Sequence, residues 1–131
     1  MFAKTKRRLT EITSPLLEDG ERIEVTAHLI AGSALSVIAH LPSEILGTLG
    51  TVEFAVLSDR RLWIFASDLE GRPAPRVLFE VPRSGFVVTG SGGFYTHWTD
   101  LTAPGVELRL RFPIVAWRDG ARLVDALASP T

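Results

Sequence analysis

A chain of 131 residues, 46% apolar and 22% charged, suits one domain that buries roughly two-thirds of its unfolded surface, and it is too apolar for disorder. The absence of cysteine excludes a disulfide scaffold, a thiolate-held metal or cluster, and a thiol nucleophile. The 14 basic and 15 acidic residues nearly balance, but Lys4, Lys6, Arg7 and Arg8 all fall in the first eight positions, leaving a body with an excess of acid. No apolar run of signal-peptide character follows these cations, which predicts a cytoplasmic chain.

Residues 2–19 read as helical, with Phe2, Leu9, Ile12 and Leu16 near one face. Residues 1–15 form a basic N-terminal arm. Ser14 followed by Pro15 suits an N-cap and first helical position opening a second short turn, which Gly20 then stops. The period changes to two at residues 22–29. Ile23, Val25, Ala27 and Leu29 share the core face of a strand, while Glu24, Thr26 and His28 share the solvent face. Residues 51–57 and 61–66 flank Ser58-Asp59-Arg60 as a hairpin. Val77, Phe79 and Val81 alternate with Leu78 and Glu80 up to Pro82. Residues 86–89 and 94–101 flank a Gly90-Ser91-Gly92-Gly93 hairpin tip, and Pro104-Gly105 marks the next turn. Val106, Leu108, Leu110 and Phe112 then alternate with charged residues as the clearest strand. Trp117, Ala121, Val124 and Ala128, widened by Leu123 and Leu127, give the stripe of a closing amphipathic helix. The order predicts a mainly β, α+β domain of about seven short antiparallel strands, with the last helix covering an open end.

Residues 16–21 (Leu-Leu-Glu-Asp-Gly-Glu), 56–65 (Val-Leu-Ser-Asp-Arg-Arg-Leu-Trp-Ile-Phe) and 123–127 (Leu-Val-Asp-Ala-Leu) carry a resemblance. In them the sequence resembles the bacterial pleckstrin-homology-like domains, related in fold to GRAM domains: a helix, an LxxGE segment, a TDRRL hairpin and a C-terminal helix. Ser58 stands where threonine is usual. The resemblance implies one domain over residues 1–131. Its fold would be a seven-stranded, strongly bent antiparallel barrel plugged by the last helix, with an inserted segment, residues 31–50, between the first two strands. It also implies binding rather than catalysis, although the scaffold alone names no ligand.

Phosphoinositide-binding members carry clustered cations on the first strand pair. Here no Lys or Arg occurs from Ile23 through Asp59, which argues against that ligand. Nucleic acid is disfavoured as well, because Trp63 and Trp98 lack basic interleaving and read as barrel packing. Residues 25–43 carry no formal charge, yet His, Ser, Thr and Gly dilute them too far for a membrane span. Leu35, Ile38, Leu41 and Ile45 in the insertion are either satellite core or an exposed contact edge.

No catalytic or metal set emerges. His40 and Glu44 lack a third ligand, His97 lacks a nucleophile partner, and the glycine-rich run lacks a phosphate-loop Lys. No cofactor is predicted. The sequence thus points to a non-enzymatic adaptor that binds a protein or itself. Its candidate surface comprises Lys4, Lys6, Arg7, Arg8, Leu35, Ile38, Leu41, Ile45, Arg60 and Arg61. The chief rival is peripheral attachment to an anionic membrane surface at the inner face of the cell membrane, through the arm and the insertion. A small-molecule barrel or enzyme ranks third.

Overall fold

The computed structural model describes residues 3–30, 52–83, 85–93 and 96–128. Helix α1 (Ala3–Thr13) runs into a 3-10 turn, Ser14–Leu16. Then follow β1 (Ile23–Ile30), β2 (Val52–Ser58), β3 (Arg61–Ser67), β4 (Pro73–Pro82), β5 (Val87–Gly92), β6 (Thr96–Ala103) and β7 (Val106–Pro113). Helix α2 (Trp117–Ala128) closes the chain. The strands form two antiparallel sheets, ordered β1-β2-β3-β4 and β5-β6-β7. The predicted insertion, residues 31–50 with Leu35, Ile38, Leu41 and Ile45, lies outside the described residues.

The principal core fills the space between the sheets and under α2. Leu29, Leu57, Leu62, Ile64, Leu101, Leu110 and Phe112 are fully buried there, and Leu123, Val124 and Leu127 of α2 join them. Trp117 packs on the same core, with its ring centroid 5.4 Å from that of Phe112. Gly120 permits the close approach of the helix: a Cβ there would stand 2.6 Å from the Phe112 ring. The buried stripe is therefore Gly120, Leu123, Val124 and Leu127; Ala121 is half-buried and Ala128 exposed, off the predicted centre.

A second, smaller core lies on the opposite face of the first sheet. Leu9 and Ile12 of α1 cover Phe54, Val56, Trp63 and Phe65. β2 and β3 are consequently buried on both faces, which is why their sequences run almost continuously apolar. Trp63 packs beneath this helix rather than inside the barrel.

The α1 cover also corrects the expected solvent face of β1. Thr26 is buried, and His28 is half-buried with its ring stacked 5.2 Å from Phe54. An irregularity between Ile23 and Val25 turns Ile23 toward the smaller core, away from the face that Val25, Ala27 and Leu29 share. A shift between Ile64 and Phe65 similarly exposes Val77 and buries Leu78 beside Phe79. Leu16, expected on the apolar face of the arm, is exposed. Thr13, not Ser14, occupies the N-cap of the 3-10 turn, because the Ser14 hydroxyl donates back to the Thr10 carbonyl at 2.7 Å. Gly90, Ser91 and Gly92 belong to β5, paired with Asp100, Thr99 and Trp98, rather than to a hairpin tip.

Burial lowers the pKa of His28 from 6.5, and its Nε2 has no hydrogen-bond partner. The native state thus resists the proton that the unfolded chain accepts. Stability is expected to be greatest above pH 6.5 and to decline as pH falls below it toward the native pKa. Urea midpoints taken from about pH 7.5 to about pH 5 check this; a decline as steep in His28→Gln as in the parent would assign it elsewhere.

Candidate functional site

The most elaborate polar cluster joins the segment before β1 to the β2–β3 turn. Gly20, at φ 80, allows a tight turn in which the Glu21 N–H donates to the Glu18 carbonyl at 3.0 Å. That turn drives the Glu21 carboxylate inward, where its side chain is 0% exposed. It accepts from Ser58 Oγ at 2.5 Å, from Arg61 Nη2 at 2.5 Å and Nε at 3.1 Å, and from the Glu18 N–H at 2.9 Å. The Arg61 hydrogen bonds lower its pKa from 4.5 to about 2 despite the opposing effect of burial.

Arg61 also donates to Glu80 at 2.8 Å and to the Leu16 carbonyl at 2.9 Å, and its guanidinium lies 4.6 Å from the centre of the Trp63 ring. Glu21, first among these partners, raises its pKa. Arg60 donates to Glu18 at 2.9 Å and to the Asp19 carbonyl at 3.1 Å, while Asp59 accepts from the Arg22 N–H at 2.9 Å. The Arg60-Arg61 pair therefore clasps the base of the N-terminal arm to the β2–β3 turn. Ser58 suffices at the centre, because its Oγ also accepts from the Arg60 and Arg61 N–H groups at 3.0 and 2.9 Å.

Arg83 extends the cluster across the sheet. It pairs with Glu24 and donates to the Ser58 carbonyl at 2.9 Å and the Ala126 carbonyl at 3.3 Å. A cation is thereby placed at the last turn of α2, which has no basic residue of its own.

Lys4, Lys6, Arg7 and Arg8 are exposed on α1, with Leu9 and Ile12 turned under it. The Arg60 and Arg61 guanidinia, by contrast, are engaged in the clasp.

On the second sheet, Trp98 lies on the outer face rather than in the barrel. It rests on Gly92, where a Cβ would come within 3.0 Å of the indole. Arg109 stacks 4.6 Å over the ring and grips Asp100 at 2.7 and 2.9 Å. His97, on the alternate face, stacks on Trp117 at 3.5 Å. Among the described residues there is no group of three metal-ligating side chains and no helix long and apolar enough to cross a membrane.

The sheet edges differ sharply. β1 runs beside β7, so two of the four edges face each other. β4 carries Pro73, Pro75 and Pro82, which withhold backbone donors. β5 (Val-Val-Thr-Gly-Ser-Gly) has neither proline nor charge, and Val87 and Val88 are 61% and 41% exposed. The sequence places a strand at residues 86–89 and ends it at Gly90, because the polar-small residues that follow look like a loop; β5 instead continues through Gly92, paired with β6.

A scan against protein-family models and a search of curated proteins give no match to the sequence. In shape the chain is similar to the crystal structure of a pleckstrin homology domain from Shewanella amazonensis SB2B, with a TM-score of 0.54 and 14% identity, covering 92% of this chain and 96% of that one. The mainly β architecture, two antiparallel sheets closed by a C-terminal helix, is thus a pleckstrin-homology-like fold.

Proposed function

We propose that this domain is a non-enzymatic binding module that self-associates by pairing β5 with β5 of a second copy. The observation that carries the reading is the contrast between edges: β4 is guarded by three prolines, whereas β5, which among the described residues pairs with β6 alone, has no proline and carries exposed valines. Antiparallel pairing across a two-fold axis sets no like charges opposite one another, because the strand holds none. Two three-stranded sheets would become one of six, and Val88 would be covered at the rim. A six-residue edge makes a small interface, below the roughly 1,200 Å² of a stable complex, so the association is weak and concentration-dependent. The basic arm on α1 stays clear of this edge and remains available for an anionic partner.

Sedimentation velocity over a concentration series tests the reading. The parent chain is expected to show a reversible dimer at high concentration. Val87→Lys with Thr89→Lys is expected to abolish it while changing folding stability by no more than about 0.5 kcal/mol, the usual range for exposed sites. A parent that stays monomeric up to millimolar concentration, or a charged variant that dimerises equally well, refutes edge pairing.

A further inference from the structure

The partners of β5 in β6 assign its residues to faces. Trp98, Asp100 and Thr102 alternate with the buried Thr99 and Leu101, so they stand on the outer side of the second sheet. Val87, Gly90 and Gly92 pair with those three and share the outer side, whereas Val88 and Ser91 pair with Leu101 and Thr99 and share the inner one. Thr89 is the extra residue of the irregularity between Val88 and Gly90.

A strand that pairs with its own copy must match outer positions to outer and inner to inner. Only one antiparallel frame does so along the whole of β5: Val87 opposite Gly92, Val88 opposite Ser91 and Thr89 opposite Gly90. A slip of one residue sets inner positions against outer ones, and the other matched frames engage only part of the strand. In the full frame the irregularity of one copy lies opposite that of the other, and the two cancel. A regular strand, lacking the extra residue, falls out of phase midway, which favours a second copy of this chain over an unrelated strand.

The outer side supplies a contact in the same frame. The Trp98 indole lies over β5, so close that a Cβ on Gly92 would stand 3.0 Å from it and one on Gly90 3.6 Å. Arg109, stacked on the ring and paired with Asp100, holds it there. The largely exposed Val87 then arrives opposite Gly92, where the indole fills the place of the missing side chain.

We infer, on the strength of the β5 pairing proposed above, that the two copies lock in this single register, with Val87 of each seated against the Trp98 indole of the other.

The chain contains no cysteine, so single thiols report the register without background. Val88→Cys and Ser91→Cys, both at exposed positions, are mixed in equal amounts at a concentration where the parent sediments as a dimer, then oxidised and resolved by intact mass. In this register the two thiols sit on opposed residues within disulfide reach, whereas each lies about 10 Å along the strand from its own counterpart, which is too far. The mixed disulfide is expected in excess over random mixing. Val87→Ala is expected to weaken the dimer about fivefold through its two symmetric contacts, with an unchanged urea midpoint. Disulfides in random proportion, from a parent that dimerises, overturn the register and leave edge pairing standing. An unchanged dissociation constant in Val87→Ala overturns the Trp98 contact, and a parent that never dimerises overturns register and edge pairing together.

Discussion

Glu21→Ala is expected to destabilise the domain by about 1.5–3 kcal/mol, because Arg61 loses its hydrogen bonds to a buried carboxylate, keeping Glu80 and the Leu16 carbonyl, and the Ser58 hydroxyl loses its acceptor. Chemical denaturation of Glu21→Ala, Arg61→Ala and the double variant measures it. The double variant should recover part of the loss, since no charge is then left unpaired. The same carboxylate governs acid stability. Its native pKa of about 2 lies below the ordinary 4.5, so the native state holds fewer protons in between. Its contribution is complete above pH 4.5 and disappears as pH falls toward 2. That difference corresponds to roughly 3 kcal/mol. The Glu21→Gln variant, which cannot titrate, should show a shallower acid decline than the parent. Equal slopes, or a loss under about 1 kcal/mol in Glu21→Ala, would show that the clasp contributes little.

Leu127→Ala should cost about 2–5 kcal/mol, the range for deleting a fully buried leucine from a core that cannot collapse around the void. Leu127 sits in one cluster with Leu108, Leu110 and Phe112 of β7, so the cavity would open between helix and sheet. Urea denaturation followed by tryptophan fluorescence reads the change. A loss within about 0.5 kcal/mol, the scatter of exposed sites, would mean that α2 does not plug the interior.

Elements with one wet and one dry face were legible in the sequence. β7 alternates as expected because Glu107, Arg109 and Arg111 are exposed while Leu108, Leu110 and Phe112 are not. α2 was legible for the same reason. The reading failed where tertiary contacts change what a face meets. Thr26 and His28 look solvated in sequence, and only the docking of α1 makes that side of β1 an interior. Irregular pairing at Ile23 and at Ile64 shifts side chains between faces, and no period-two pattern announces such a shift. The partners of Arg60 and Arg61 were equally hidden, since Glu18 and Glu21 lie some forty residues earlier in the chain. A pair of arginines in a turn reads as a free basic patch until the acids that meet it are known.

The division of the apolar interior between two faces of one sheet has a kinetic consequence. The cover formed by α1 rests on its own cluster, and lifting it would bare Phe54, Val56, Trp63 and Phe65 while leaving Ala55, Leu57, Leu62 and Ile64 enclosed. The base of the arm stays tied through the Leu16 carbonyl to Arg61. The molecule therefore has the makings of a hinged lamina over a rigid shell, in which a local opening can occur far more often than global unfolding. Since Lys4, Lys6, Arg7 and Arg8 ride on that lamina, an anion engaging them would load a partly independent unit, and its grip would be felt in the opening rate of the arm before it was felt in the stability of the two sheets.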